Sequence, residues 1–290
     1  MTSKTGLKRD VLDKFYTKQS AVKECFVYIN QYLDISDSDL VIEPSAGNGA
    51  FIKDIKKISR NYKFYDIDPY YYKQINNKKL KIKHSEVVQK DYLSLQLDDE
   101  LNSYDNIHII GNPPFGRQSS MLIKFIKHSS LTLNVKSISF ILPKSFKKDS
   151  LKKHIPLNYH LLHQHDLKEN SFTIDNNEYN VPCIFQIWEK KNYDRVVPVK
   201  LFPDKFKFVK KNESPHMSFR RVGVNAGTLS FTDLEYKSSE SHYFIRFNNS
   251  IDNISSLKLK LKNICFNHDN TVGPKSISKQ EIIEIFNNVL

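Results

Sequence analysis

Residues 39–51 read Asp-Leu-Val-Ile-Glu-Pro-Ser-Ala-Gly-Asn-Gly-Ala-Phe, and this stretch decides the fold. Its apolar run 40–42 predicts a short buried strand, its glycines predict a tight turn, and the residues after them predict the start of a helix. Glycines 47 and 49 let the backbone approach a ligand closely, and Glu43 ends the strand with an acceptor for a cationic or hydroxylated ligand. The spacing is neither that of a dinucleotide fingerprint nor that of a P-loop. The stretch therefore predicts an open α/β sheet that binds a nucleoside-type ligand without a pyrophosphate.

Two further acidic residues follow predicted strands. The segment 62–65 leads into Asp66, and the segment 87–90 leads into Asp91. Each acid alone is typical of a solvated strand end, but together they repeat the strand–acid layout of an α/β sheet with its ligand at the carboxyl ends of the strands. Pro69 predicts that a helix opens after the strand that ends at Asp66.

The tetrad Asn112-Pro113-Pro114-Phe115 directly follows the apolar run 107–111. An Asn side-chain oxygen and a proline-locked backbone carbonyl can each accept one hydrogen of an exocyclic amine, and the Phe ring offers a flat stacking surface. Accepting both hydrogens favours a tetrahedral nitrogen and frees its lone pair for attack. The tetrad therefore indicates a site that methylates a planar amine, although a proline-rich turn at a strand end has the same residue types.

These motifs, in this order, resemble class I S-adenosylmethionine-dependent amino-methyltransferases, and most closely the N6-adenine group. The resemblance covers about residues 7–190. The segment 13–18 resembles one that, in DNA adenine methyltransferases, folds over the methionine part of the cofactor. The resemblance implies a Rossmann-like, seven-stranded, mostly parallel sheet that ends in a β-hairpin, which we place at residues 170–189.

The resemblance also implies the site residues. Asn112, Pro113, Pro114 and Phe115 are expected to hold the target base, and Phe172 is expected to stack on its other face, although a core Phe has the same sequence signal. Glu43, Ala46 and Gly47 are expected at the amino-acid end of the cofactor, Asp66 at the ribose and Asp91 at the adenine. The full expected set for S-adenosylmethionine is Phe15, Tyr16, Thr17, Glu43, Ser45, Ala46, Gly47, Asp66, Asp91 and Asn112.

The identity of the methylated polymer is less well defined. The loop 43–47, the segment 15–17 and the extra C-terminal residues resemble DNA enzymes, so DNA is favoured. Phe115 in place of the frequent Tyr, and Gly116 after it, leave RNA as a close alternative. Methylation of a protein glutamine, and a catalytically inactive binding subunit of a methyltransferase pair, are further alternatives.

Composition agrees with a polyanionic partner. Lysine and arginine total 44 against 32 acidic residues, a net charge of +12, although a chain rich in Lys, Asn, Ile and Tyr is also basic for compositional reasons. Lys144 and Lys147 follow the predicted strand 137–142 and are candidates for contacts with phosphate, a solvated loop being the alternative.

No metal site is predicted. Cys25, Cys183 and Cys265 have no metal-ligand spacing, and the histidines in 158–166 are more typical of a strand with surface histidines. The chain has no signal-like segment and no run of about 18 apolar residues, so a soluble, intracellular protein is expected, with its oligomeric state open.

Two domains are predicted, at residues 1–195 and 196–290. Beyond the boundary, residues 205–211 alternate lysine with apolar side chains and residues 219–223 add two arginines. This pattern is typical of a nucleic-acid surface and also of half-buried strands. A helix is predicted to start in 276–281 and run to Val289. We interpret this region as a small basic α+β module and a candidate for target recognition.

Overall fold

The computed structural model describes residues 15–75, 78–174, 177–248, 254–262, 264, 266 and 275–290. Asp13 and Lys14 of the N-terminal segment, as well as Cys265, lie outside these residues. The chain divides into two compact units, one up to Val196 and one from Val197. Each unit is described by itself.

The first unit is an α/β structure. Its strands are β1 (Tyr16–Thr17), β2 (Leu40–Glu43), β3 (Asn61–Asp66), β4 (Tyr70–Ile75), β5 (Lys78–Lys83), β6 (Val88–Gln89), β7 (Ile107–Gly111), β8 (Ser137–Pro143), β9 (Tyr159–Asp166), β10 (Phe172–Ile174), β11 (Asn177–Tyr179) and β12 (Cys183–Lys190). Its helices are α1 (Gln19–Tyr32), α2 (Ile52–Ile58), α3 (Asp99–Asn102), α4 (Ser120–Lys127) and α5 (Asp149–Lys152). A π-helical turn, His128–Thr132, continues α4.

Seven of these strands form the central sheet, in the order β6-β3-β2-β7-β8-β12-β9. The pairs from β6 to β8 are parallel, and β12 is antiparallel to both β8 and β9. Every residue of β2, β7 and β8 is buried, as expected for parallel strands covered on both faces. The predicted seven-stranded, mostly parallel sheet is confirmed, and its parallel register brings the carboxyl ends of β2, β3 and β7 to one edge.

The antiparallel end of the sheet differs in detail from the prediction. On the side away from β8, β12 pairs with β9 and not with a strand that starts near residue 170. Instead, β10 pairs with β1 and β11 in a separate three-stranded antiparallel sheet. The chain thus leaves the central sheet after Asp166 and returns at Cys183, and the inserted strands hold the N-terminal strand.

The helix predicted after Pro69 is also wrong, because β4 and β5 form an antiparallel hairpin there. The run Tyr70-Tyr71-Tyr72 is aromatic, and aromatic residues favour strands. Pro69 lies directly before β4, where proline is compatible with either element, and the local residue types decided the outcome.

The strand predicted around the three histidines is confirmed as β9, but two of its histidines are more buried than surface residues. His163 and His165 are half-buried against α1, with their ring centroids 3.9 and 4.4 Å from that of Tyr28. The side chains that the structure describes include no group of three or more His, Cys, Asp or Glu residues arranged to hold a metal ion.

The second unit is a four-stranded antiparallel sheet covered by helices. Its strands are β13 (Phe206–Val209), β14 (Met217–Arg220), β15 (Leu229–Ser230) and β16 (His242–Phe247), and its helices are α6 (Ile254–Lys262) and α7 (Lys279–Val289). The sheet order is β13-β16-β14-β15. The predicted C-terminal helix is confirmed as α7, which starts with a capping box between Ser278 and Glu281.

Across the described ranges of both units, every helix is too short or too polar to cross a lipid bilayer.

Candidate active site

A cavity of about 240 Å³ opens at the carboxyl edge of the central sheet. Residues from the N-terminal segment, the glycine loop, the ends of β3 and β6, the tetrad and α4 line it. They are Phe15, Tyr16, Pro44, Ser45, Gly47, Asp66, Ile67, Asp91, Tyr92, Leu93, Asn112, Pro114, Gly116, Met121 and Phe125. The structure thus brings together the cofactor and target motifs, which are more than sixty residues apart in the chain.

The glycine loop is fixed to the end of β3. Gly47 adopts φ +54°, its N–H donates to Asp66 Oδ2 at 2.7 Å, and the N–H of Ala46 donates to the carbonyl of Tyr65 at 2.8 Å. A Cβ at position 47 would lie 3.5 Å from the ring of Tyr16. The loop therefore passes directly under Tyr16, in a left-handed conformation that favours glycine.

Glu43 lies beneath the loop and does not line the cavity. Its side chain is buried, and among the described residues Oε2 has no hydrogen-bond partner. Burial raises the pKa of Glu43 well above its usual range, and the nearby Asp66 raises it further. A cationic group at this position would satisfy the free oxygen and favour the ionised carboxylate. The site thus fits the cationic amino-acid end of S-adenosylmethionine.

Asn112 is the polar centre of the tetrad. Its Nδ2 donates to Thr17 Oγ1 at 3.2 Å and to the carbonyl of Phe15 at 3.5 Å. Two acceptors around the amide nitrogen assign the orientation of the side chain. Oδ1 is then left buried, with no hydrogen-bond partner in the part of the chain that the structure describes. An acceptor held in this way next to a cavity is suited to a donor that a ligand supplies, because an unpaired buried oxygen otherwise only costs free energy.

The two motifs are joined directly. Ser45 Oγ of the glycine loop donates to the backbone carbonyl of Asn112 at 3.1 Å. Asp91 lines the cavity from the other side, and its Oδ1 accepts from the N–H of Leu93 at 2.9 Å. Both residues therefore have defined positions at the cavity wall.

The rest of the tetrad is less exposed. Pro114 lines the cavity, Pro113 is buried, and Phe115 is half-buried and packs against the core of the sheet. Gly116 adopts φ +67°, and a Cβ there would lie 2.9 Å from the backbone nitrogen of Met121. Only glycine fits at this turn, which directs the chain from the tetrad into α4.

Three residues that we predict to contact the substrate lie away from the cavity wall. Phe172 is only 1% exposed and does not line the cavity, so its ring presents no face to a base. Lys144 and Lys147 pair with Asp166, at 2.9 and 2.5 Å, and are also absent from the cavity wall. Both lysines share the single, partly exposed carboxylate of Asp166, a pairing that their distance in sequence from Asp166 concealed.

Several lining residues were not predicted as site residues. Met121 and Phe125 are four residues apart on α4, and their helical spacing in the sequence indicates only that they pack on the sheet. Tyr92 follows Asp91 directly, and its buried hydroxyl bonds to Ser129 Oγ at 2.7 Å. In the sequence, only the adjacent Asp91 indicates that Tyr92 lies at the site.

The sheet, the glycine loop under Tyr16 and the acids at the strand ends define a class I methyltransferase that uses S-adenosylmethionine. A sequence model of one family, ribosomal RNA adenine dimethylase, matches residues 8–154, half of the chain. The chain belongs to this family.

Solved structures with the same fold resemble the chain more distantly. An inferred RNA methyltransferase from Pyrococcus horikoshii has 14% identity and a TM-score of 0.44, with 64% of this chain and 91% of that one covered. A dimethyladenosine transferase from Plasmodium falciparum has 18% identity and a TM-score of 0.39, with 61% and 63% covered. A type I restriction-modification methyltransferase subunit from Streptococcus thermophilus has 13% identity and a TM-score of 0.38, with 95% and 58% covered. Likenesses this distant carry no argument about the substrate. No curated protein matches the sequence.

Proposed function

We propose that this protein transfers methyl groups from S-adenosylmethionine to the N6 amine of adenine in RNA. The buried Oδ1 of Asn112 at the cavity is the observation that carries the proposal, because it is an acceptor without a donor among the described residues. The family of ribosomal RNA adenine dimethylases supports RNA as the polymer. The DNA substrate favoured from the sequence receives no support from this family, and we therefore adopt the RNA alternative.

Asn112 and its proline neighbour supply the acceptors in this mechanism. Asn112 Oδ1 accepts one hydrogen of the adenine N6 amine, and the backbone carbonyl of Pro113 accepts the other. Both contacts pull electron density toward the nitrogen and favour its tetrahedral form. Preorganised polar groups of this kind are typically worth about 3–4 kcal/mol each in the transition state. Stacking of Phe115 on the base stays a prediction, because its half-buried ring packs against the core and, like Phe172, does not line the cavity.

Thr17 acts as a positioning residue. Its hydroxyl oxygen accepts from Asn112 Nδ2, and Thr17 itself is buried and fixed by the pairing of β1 with β10. If Thr17 did not hold the nitrogen, the amide could rotate and present a donor to the substrate amine. The N-terminal segment would then serve the target site as well as the cofactor site.

The cofactor would be held by Tyr16, Gly47, Asp66 and Asp91, in the order from its amino-acid end toward its adenine, with the buried Glu43 beneath the glycine loop at the amino-acid end. When bound, S-adenosylmethionine supplies an electrophilic methyl group on a sulfonium. Asp66 already accepts from the glycine loop through Oδ2, so a ribose hydroxyl would have to share its remaining lone pairs. Glu43 supplies a carboxylate for the cationic end.

The test is incubation of the protein with isotopically labelled S-adenosylmethionine and separate pools of ribosomal RNA, single-stranded DNA and duplex DNA. Mass spectrometry of the digested nucleosides then counts one or two methyl groups on adenosine. We expect label in N6-methylated adenosine from RNA. Label in deoxyadenosine alone would return the function to DNA. Label in neither, with the cofactor still bound, would indicate a protein substrate or a missing partner subunit.

A further inference from the structure

The second unit carries a groove of about 950 Å³ that the methyl transfer does not use. It lies where β13 ends, β16 begins and α7 starts. We call it the C-terminal groove, and its lining includes Phe208, Lys210, Lys211, Phe231, Tyr243 and Lys279. Its volume is at the upper end of the range of about 300–1,000 Å³ that small-molecule sites occupy, which leaves room for more than one nucleotide.

The positive charges of the groove are not neutralised by ion pairs. Lys210, Lys211 and Lys279 form no ion pair with any carboxylate in the part of the chain that the structure describes. Lys279 is also the first residue of α7, where a positive charge opposes the helix dipole. A cation at the unfavourable end of a helix, without an ion pair among the described residues, is suited to an anion that comes from outside.

Aromatic rings alternate with these cations. Lys279 Nζ lies 4.7 Å from the ring centroid of Phe208 and 5.5 Å from that of Tyr243. On the other side, Lys258 Nζ lies 5.0 Å from the ring centroid of Phe231. Cations interleaved with aromatic rings are the combination that binds single-stranded nucleic acid, since the cations meet phosphates and the rings meet bases.

The groove also contains two carboxylates, Asp233 and Glu235, on the loop between β15 and β16. They repel phosphate, so a bound strand would place its backbone along the lysines. Carboxylates accept from base amino groups, as Asp and Glu do from the N4 amine of cytosine. The lysines and the carboxylates of the groove therefore suit the phosphates and the bases of a polynucleotide strand, respectively.

We propose that the C-terminal groove binds a single-stranded segment of RNA, with phosphates at Lys210, Lys211 and Lys279 and a base against Phe231. A duplex is a poorer ligand because its base faces are stacked inside the helix. The proposal rests on the proposed function for the choice of RNA over DNA.

Binding is measured with the full chain and without cofactor, by fluorescence anisotropy of a labelled 15-nucleotide RNA. The same sequence is used as a duplex and as single-stranded DNA. We expect Lys279→Gln to weaken binding of the single strand about 5-fold and to lower the slope of the salt dependence by about one, as the loss of one phosphate contact does. The triple variant Lys210→Gln, Lys211→Gln, Lys279→Gln should bind the single strand at least about 20-fold more weakly. Lys207→Gln is the matched control, because Lys207 is an exposed lysine of β13 that does not line the groove, and it should change binding less than about 2-fold.

Binding of polyphosphate distinguishes the lysine–phosphate contacts from the stacking of a base on Phe231, because polyphosphate has phosphates and no bases. Phe231→Leu should weaken binding of single-stranded RNA about 5-fold and leave binding of polyphosphate unchanged. Lys279→Gln should weaken both ligands. Circular dichroism and thermal melting of each variant verify that the second unit is folded.

Equal losses from Lys207→Gln and Lys279→Gln would overturn the proposal, since general charge would then explain binding. Tighter binding of the duplex, or no binding of RNA at all, would also overturn it. Tighter binding of single-stranded DNA, with the groove variants still defective, would overturn the choice of RNA and uphold the groove. If the protein methylates RNA while the groove variants bind it normally, this inference alone fails. If the groove binds RNA but no RNA is methylated, the proposed function alone fails.

Discussion

The two edges of the central sheet differ in how they treat buried polar groups. At the amino edge, Asp39 accepts from the N–H of Ser36 and from Asn106 Nδ2, both at 2.8 Å. His108 follows, with Nε2 3.5 Å from Asp39 and Nδ1 2.7 Å from Ser137 Oγ. At the carboxyl edge, Glu43 and Asn112 each keep an oxygen without a partner among the described residues. The amino edge thus satisfies the carboxylate of Asp39, although the buried Nε2 of His108 has no hydrogen-bond partner among the described residues, and the carboxyl edge keeps two oxygen acceptors for ligands.

The largest effect is expected at the carboxyl edge. Asn112→Ala should lower kcat by about 10²–10³-fold, as the loss of one preorganised polar group does in other enzymes, because the free acceptor is removed. Affinity for the cofactor should stay within a few-fold. The free energy of unfolding should fall by only about 1 kcal/mol, since Oδ1 has no internal partner to lose among the described residues and only the hydrogen bonds of Nδ2 to Thr17 and Phe15 are removed. Single-turnover methylation and calorimetric cofactor titration measure the two effects. Asn102→Ala, at an exposed position of α3, is the control. Equal loss of turnover and cofactor affinity would mean that the tetrad is misassigned.

The opposite result is expected at the amino edge. Asp39→Ala should destabilise the fold by about 2–3 kcal/mol, because the donors of Ser36 and Asn106 lose their acceptor. The kcat of the Asp39→Ala variant, measured at low temperature, should be nearly unchanged. Urea denaturation gives the free energy of unfolding. Asp37→Ala is the control, since its carboxylate is exposed and pairs with Arg60 at 3.4 Å, and its effect should be within about 0.5 kcal/mol. A loss of turnover in Asp39→Ala without loss of stability would break the contrast between the edges.

Variants of Thr17 test whether the orientation of Asn112 matters for catalysis, because the Thr17 hydroxyl accepts from Asn112 Nδ2 and fixes that orientation. Thr17→Val keeps the shape of the side chain and removes the acceptor for Asn112 Nδ2, so kcat should fall about 10-fold, which corresponds to about 1.4 kcal/mol. Thr17→Ser retains the hydroxyl and should restore most of the rate. KM for the cofactor should change little in both variants. A change confined to KM would assign Thr17 to cofactor binding alone.

The smallest effect is a pH dependence of opposite sign at the two edges. Burial lowers the pKa of His108, with Asp39 partly opposing it, so the unfolded state binds more protons below about pH 6.5 and stability falls as the pH drops. Burial raises the pKa of Glu43, so the folded state binds more protons above about pH 4.3 and stability falls as the pH rises. A tenfold difference in proton affinity between the folded and unfolded states changes stability by at most about 1.4 kcal/mol.

Urea denaturation between pH 5 and 8 measures how the free energy of unfolding changes with pH for each of the two groups. His108→Asn should flatten the stability curve on the acid side, and Glu43→Gln should flatten it on the alkaline side. Parallel curves for the wild type and both variants would show that neither group titrates differently on folding.

Local sequence carried much of the fold and of the site. The apolar runs of β2 and β7, the glycines at 47 and 49 and the tetrad depend on neighbours in the chain, and their elements were predicted. The helix predicted after Pro69 was wrong for a local reason, because the aromatic run 70–72 favours the strand of a hairpin. The buried position of Phe172 and the pairing of Lys144 and Lys147 with Asp166 depend on contacts between distant segments, which no pattern within one segment reports. The free oxygen of Asn112 was anticipated from chemistry, but its orientation by Thr17 was not.

The pairing of β1 with β10 sets when the site is completed during folding. Thr17 lies opposite Phe172, more than 150 residues later in the chain. Closing such a long loop is slow and entropically costly, so contacts of this kind form after local ones. On a ribosome, the glycine loop and the tetrad are made well before the strand that holds Thr17 in place. The cofactor loop therefore has the contacts within its own sheet early, and the orientation of the catalytic amide is the last part of the site to be established.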